Sequence, residues 1–217
     1  MLAAAIECQN PLIFNFGDSN SDTGGYAASY GVFAGYPTGR KFFHRTADRF
    51  SDGRIILDFY CDTVKAEYMS SYFESLTPNF KTGVNFAVGN ATILRESNFF
   101  NLHTQLTEFH ARSLILHSEG IKSMFGEDDF RNAVYLIDIG QNDITGAFSN
   151  HSQLEVLGMI PSFINGIKAA IEVYMLFFFF FLIHLYLLQQ RDQMISAKYT
   201  TFIRIFIDRL VYKLKLL

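Results

Sequence analysis

Ser19 stands where an apolar run meets a polar, glycine-closed turn, in the stretch PLIFNFGDSNSDTGG from Pro11 to Gly25. Leu12, Ile13, Phe14 and Phe16 are expected to form a short buried strand, since β-formers cluster there between Pro11 and Gly17. Ser19 then sits at the C-terminal edge of that strand, where ligands bind in open α/β sheets and where a following helix offers free N–H groups to an anion. Gly17 permits a tight backbone, and Asn20, Ser21, Asp22 and Thr23 suit the cap of a helix. On these residues alone an ordinary capped strand-to-helix turn is an equal reading.

Two other turns have the same form. Val84 to Val88 is a short apolar segment preceded by Gly83 and followed by Gly89-Asn90-Ala91-Thr92, a small-residue turn with room for a backbone N–H to face a ligand. Ala133 to Ile139 (AVYLIDI) is the clearest buried strand in the sequence and ends at Gly140-Gln141-Asn142-Asp143. An asparagine in that position can donate its amide to a developing oxyanion, a contact worth roughly 3 kcal/mol in acyl transfer. Each turn by itself is also a plain connection between elements.

The intervening segments supply the scaffold. Tyr26 to Arg54 carries the turn signals Tyr36-Pro37-Thr38-Gly39 and Ser51-Asp52-Gly53 and reads as a long ordered loop that shapes a site. Apolar residues at Ile55, Ile56, Phe59, Tyr60 and Val64 predict a helix from Arg54 to Lys65, and Leu102, Leu106, Phe109, Ser113 and Leu116 share one face of another. His103, His110 and His117 recur every seven residues on that helix, which separates them by roughly 10 Å of rise, too far for one metal ion. They are read as surface or packing residues. Gln153 to Ile171 looks helical but interrupted by Pro161.

Composition bounds the class. The 217 residues are 49% hydrophobic with a net charge of −3, enough for one full core and without the basic excess that nucleic acid requires. Cys8 and Cys61 form no CxxC or Cys/His cluster, so neither a disulfide framework nor a metal is expected.

FNFGDSNSDTGG (Phe14 to Gly25), GVNFAVGNATI (Gly83 to Ile93) and DIGQND (Asp138 to Asp143) resemble the first three sequence blocks of the plant GDSL esterase/lipase family of SGNH hydrolases. YPTGRKFFHRTADRFSDGRIILDF, Tyr36 to Phe59, is similar to the segment joining the first two blocks, so the resemblance covers roughly residues 8 to 174. It implies an α/β fold, a three-layer α/β/α sandwich with a mostly parallel sheet, incomplete at the C-terminus. It also implies a hydrolase acting on a small ester, lipid or acetylated carbohydrate without a cofactor. Ser19 would be the nucleophile, and the Ser19 N–H, a block-two N–H from Gly89 or Asn90, and the Asn142 amide would bind the oxyanion.

The sequence departs from that pattern twice. The family's block-two glycine falls five residues after the asparagine of NFA, here Asn85, so Asn90 occupies the position and Gly89 is one residue early. The catalytic Asp and His of the family lie in a D-x-x-H block, and none of the six histidines (His44, His103, His110, His117, His151, His184) follows an aspartate by three residues. Without a base a serine hydroxyl is a weak nucleophile. A C-terminally truncated, weakly active or inactive member is therefore expected, the alternative being a non-catalytic binding or vestigial protein that keeps the half-fold.

Residues 175–217 are expected to be a divergent segment after a hydrolase part at 11–174, with 1–10 a remnant of a signal peptide. Val173 to Leu188 is a largely apolar run of sixteen residues that contains Phe177 to Phe181 and His184, about 24 Å as a helix against a ~30 Å hydrocarbon core. Beyond it lies a local charge of +4 from six basic and two acidic residues. An unrelated tail is the favoured reading, ahead of a degenerate strand over Phe177 to Leu185 and of membrane contact through 173–188. Family resemblance implies secretion, and sequons at Asn90 and Asn150 make both glycosylation candidates, Asn150 the better because Asn90 should be hidden in the site.

Overall fold

The computed structural model describes residues 11–94, 99–118, 125 and 127–191. Three strands, β1 (Ile13–Gly17), β2 (Gly83–Asn85) and β3 (Val134–Asp138), form one sheet in the order β2-β1-β3. Both pairings are parallel: Ile13 lies opposite Gly83 and Val134, and Gly17 opposite Asp138. All three C-terminal ends therefore lie along one rim, which is what makes a shared site there feasible.

Alternation along β1 builds the layers. Phe14 and Phe16 face a core with Val84, Phe86, and Leu102, Leu106 and Phe109 of α3 (Leu102–Ser118). Ile13 faces the opposite side, with Leu57 and Cys61 of α2 (Ile56–Thr63) and Met69. Helix, sheet, helix is the three-layer α/β arrangement. Phe14 is 1% exposed, lies 4.8 Å from the Phe109 ring and stacks on Phe130 at 5.4 Å, so its environment is an aromatic cluster rather than an aliphatic one. Phe130 belongs to the short α4 (Glu127–Asn132).

β3 differs from the sequence reading. It is a strand, but Val134 and Tyr135 are exposed and Leu136, Ile137 and Asp138 half-buried; it is an outer strand of the sheet among the described residues, with the Tyr135 ring packed on Phe14 and Phe109. The periodicity of AVYLIDI marks a strand buried on both faces; its place at the edge is a tertiary outcome. The loop reading from Tyr26 is also amended: α1 (Gly25–Tyr30) comes first, and the irregular segment starts after it.

α5 (Gln141–Phe148) leads to α6 (Gln153–Arg191), which runs through Pro161 without a break. Proline forfeits the bond to the Leu157 carbonyl, but both residues are exposed, so water can serve that carbonyl. The chain divides into compact units at Met1–Met175 and Leu176–Leu217. In the first, Val156 and Phe163 of α6 pack on Ala147 and Ile93, with Ile160 and Ile167 beside them. Gln153–Val173 is long and apolar enough to cross a membrane by length and composition. In the second unit the helix continues to Arg191, so the degenerate-strand reading of Phe177 to Leu185 is corrected to helix. The signal-remnant reading of 1–10 lies outside the described residues.

Candidate functional site

Ser19, half-buried, follows β1 directly; the Gly89-Asn90 turn follows β2, and Asn142 opens α5 after β3. Parallel strands bring these segments to one rim, and direct bonds tie them together. The Asp18 N–H donates to the Asp138 carbonyl at 3.2 Å, and the Asn20 amide donates to Gln141 Oε1 at 2.8 Å. Asn142 Nδ2 donates to the Ala91 carbonyl at 2.8 Å. Asp143, buried behind it, accepts the N–H groups of Ile93 at 2.8 Å and Leu94 at 3.3 Å. The start of α5 is thus fastened to the block-two turn.

A buried amide network sets the floor. Asn15 Nδ2 donates to Asn85 Oδ1 at 2.7 Å and to Ser21 Oγ at 3.0 Å, while Asn85 Nδ2 donates to the Ser21 carbonyl at 2.7 Å and Thr23 Oγ1 at 2.9 Å. Asn15 and Asn85 point to the same face of adjacent strands, and each is about fully buried. Every amide hydrogen bond left unmade there would cost about 1–3 kcal/mol, so the network specifies how the Ser19 loop crosses β2. From the other side Gln105 of α3 accepts the Gly17 N–H and donates to the Gly17 carbonyl, both at 2.8 Å. Gly17 has no space for a side chain, since a Cβ would lie 2.3 Å from the Asp138 carbonyl oxygen.

Two carboxylates lie under the loop. Burial pushes the Asp22 carboxyl above its ordinary value, against four N–H groups that favour its charge: Gly24 at 2.7 Å, Gly25 at 2.5 Å, Tyr26 at 2.9 Å and Gly89 at 2.6 Å. Burial also pushes Asp18 up, and the nearby Asp138 and Asp143 charges add to that, while the Asn20 N–H opposes it. Asp18 Oδ2 has no partner among the described residues.

Of the two block-two residues expected to offer an N–H to the oxyanion, Gly89 directs its own to Asp22. Asn90, at the family's block-two position, has φ of 67°. That left-handed backbone explains why a glycine suits the site and why asparagine is the next best residue there. Asn90 is exposed, which corrects the expectation that it would be hidden. No histidine bonds to Ser19 among the described residues; His44 and His151 are exposed, and the His117 side chain lies outside them. No cluster of three potential metal ligands occurs among the described residues either.

Comparison with known proteins shows the family. The model of the GDSL-like lipase/acylhydrolase family matches residues 13–206. The chain belongs to that family. A GDSL esterase/lipase of Arabidopsis thaliana is 47% identical over 174 residues, covering 78% of this chain and 47% of the relative. An Arabidopsis protein named alpha-L-fucosidase 3 is 43% identical over 183 residues (76% and 49%), and an esterase of Hevea brasiliensis is 39% identical over 187 residues (79% and 48%). This GDSL chain spans about half the length of the curated relatives it matches. The family match runs beyond residue 174, so the segment resembling the family extends further than the three blocks indicate.

The sequence did not point to Gln105, Asn15 or Arg49. Gln105 sits beside the apolar face of α3 and has no motif signal; Asn15 is the one polar residue in β1, a signal that was legible. Arg49 makes a buried ion pair with Asp58, Nη2 to Oδ1 at 2.9 Å and Nε to Oδ2 at 3.2 Å, which anchors the long loop to α2.

Proposed function

We propose that this chain carries the nucleophile and oxyanion half of a serine ester hydrolase. The observation that supports it is the tied convergence of the Ser19 loop, the Asn90 turn and the start of α5 at one rim of a parallel sheet. Ser19 Oγ attacks the ester carbonyl. The Ser19 and Asn90 N–H groups and the Asn142 amide stabilise the oxyanion, and the alcohol leaves from an acyl-serine that water then hydrolyses.

The proton of Ser19 needs an acceptor at about 2.6 to 3.2 Å, and the sequence holds no D-x-x-H. The chain by itself is therefore weakly active or inactive, with residual catalysis from the oxyanion donors. Ester or lipid substrates are in keeping with the relatives' names, and an acetylated carbohydrate with the family resemblance of the sequence blocks. Secretion follows from family resemblance, with a glycan at Asn150, which is exposed in the turn between α5 and α6.

A short-chain p-nitrophenyl ester assay on the chain and its Ser19→Ala variant tests this. A rate far below the ordinary enzyme range is expected, with a Ser19-dependent part that rises when imidazole is added as an external base and does not rise in Ser19→Ala. Equal rates in both, with and without imidazole, remove Ser19 as nucleophile and favour a non-catalytic binding protein. A Ser19-dependent rate of about 1 s⁻¹ or more, the ordinary enzyme range, would show a base at work and overturn the weak-activity reading.

A further inference from the structure

α6 changes character along its length. As far as Ala170 it rests one side on a core: Val156, Phe163 and Ala170 are buried, while Leu154, Leu157 and Ile164 are exposed. Gln153–Val173 has the length and composition of a membrane span, but its packing on Ala147 and Ile93 fixes it to the fold. The exposed ion pair of Lys168 Nζ with Glu172 Oε1, at 3.8 Å, is its last charged feature. The next charged residue is Arg191, where the helix ends.

Because the helix continues unbroken between these charges, residues 173–190 form an uncharged stretch of eighteen residues, about 27 Å long. That length matches a bilayer hydrocarbon core of about 27–30 Å. From Val173 to Leu188 only Tyr174, His184 and Tyr186 carry a side-chain oxygen or nitrogen, so the stretch has no polar face. A helix apolar all round needs cover on every side, from a large protein core or from lipid. The compact unit Leu176–Leu217 is too small to build such a core of its own. His184 is the one ionisable residue in the interval and can enter as the neutral imidazole.

Charge on the two flanks is unequal. Lys168 is the one basic residue between Gln153 and the stretch, whereas Arg191, Lys198, Arg204 and Arg209 follow it in sequence. An excess of Lys and Arg on one flank is the mark of a span with its cytoplasmic end there. We propose that residues 173–190 of α6 cross a lipid bilayer and anchor the chain to it, a property independent of Ser19 and its chemistry.

The sequence contains no tryptophan, so Phe181→Trp, at the middle of the stretch, supplies a single fluorophore. The full chain, made by cell-free translation with vesicles of phosphatidylcholine and phosphatidylserine, should float with them on a density gradient and stay with them through alkaline carbonate extraction. Fluorescence of Phe181→Trp should be quenched more by lipids brominated near the acyl-chain end than by lipids brominated beside the headgroup. Phe181→Arg should lower partition into the vesicles about a hundredfold, and Phe181→Leu should leave it unchanged. Limited proteolysis of Phe181→Arg, showing the same resistant fragment as the parent chain, verifies that the remainder is folded. Failure to float, release by carbonate, quenching strongest beside the headgroup, or indifference to Phe181→Arg would each overturn the span.

Discussion

The Asp22 carboxylate accepts the Gly89 N–H at 2.6 Å, joining the loop after β1 to the turn after β2 across 67 residues of sequence. The same group holds the first N–H groups of α1, so one side chain sets three pieces of backbone at once. Asp22→Asn keeps the shape but turns an amide NH₂ toward N–H donors. Hydrogen bonds to a charged group contribute about 1.5–3 kcal/mol each, so a loss of about 3 kcal/mol in urea unfolding is expected. A change under 0.5 kcal/mol would mean the four bonds contribute little.

Arg49 and Asp58 form the second tie, 9% and 1% exposed in their side chains. Removing one partner leaves a buried charge, which costs about 3–5 kcal/mol. Arg49→Met should therefore destabilise the fold strongly, and Arg49→Met with Asp58→Leu should recover part of the loss. A double variant no more stable than the single would show that the loop, rather than the charge, sets the cost.

Phe14 contacts four rings, those of Phe109, Phe125, Phe130 and Tyr135. Phe14→Ala should cost about 3–5 kcal/mol, and Phe14→Leu much less. Equal losses in the two, measured by denaturant titration, would assign the stability to ring geometry rather than to volume.

Glu108 on α3 is pushed up to about 7 from its ordinary 4.5 by burial, with Arg112 pulling the other way, and its Oε2 lacks a partner among the described residues. The folded form binds this proton more tightly than the unfolded chain. Its contribution to stability is therefore complete below pH 4.5 and declines as the pH rises toward 7. Glu108→Gln should gain on the parent chain over that interval in urea melts, and parallel stability curves would remove Glu108 as the source of pH dependence.

The sequence by itself determined the rim and its three stations. Gly17, Asn90 and Gly140 stand where the backbone is too crowded or too twisted for other residues, and such positions are legible because few residue types satisfy them. The short apolar runs before them were legible as strands for the same local reason. Tertiary structure decided what depends on the neighbour. It put β3 at the sheet edge, although the strand reads as buried, because strand order is not encoded in the period of one strand. It gave the Gly89 N–H to Asp22, because that choice depends on a carboxylate 67 residues away. It also recruited Gln105 to both backbone groups of Gly17, a contact with no local pattern, since an amide on a helix becomes a clamp only when the strand it reaches is already in place.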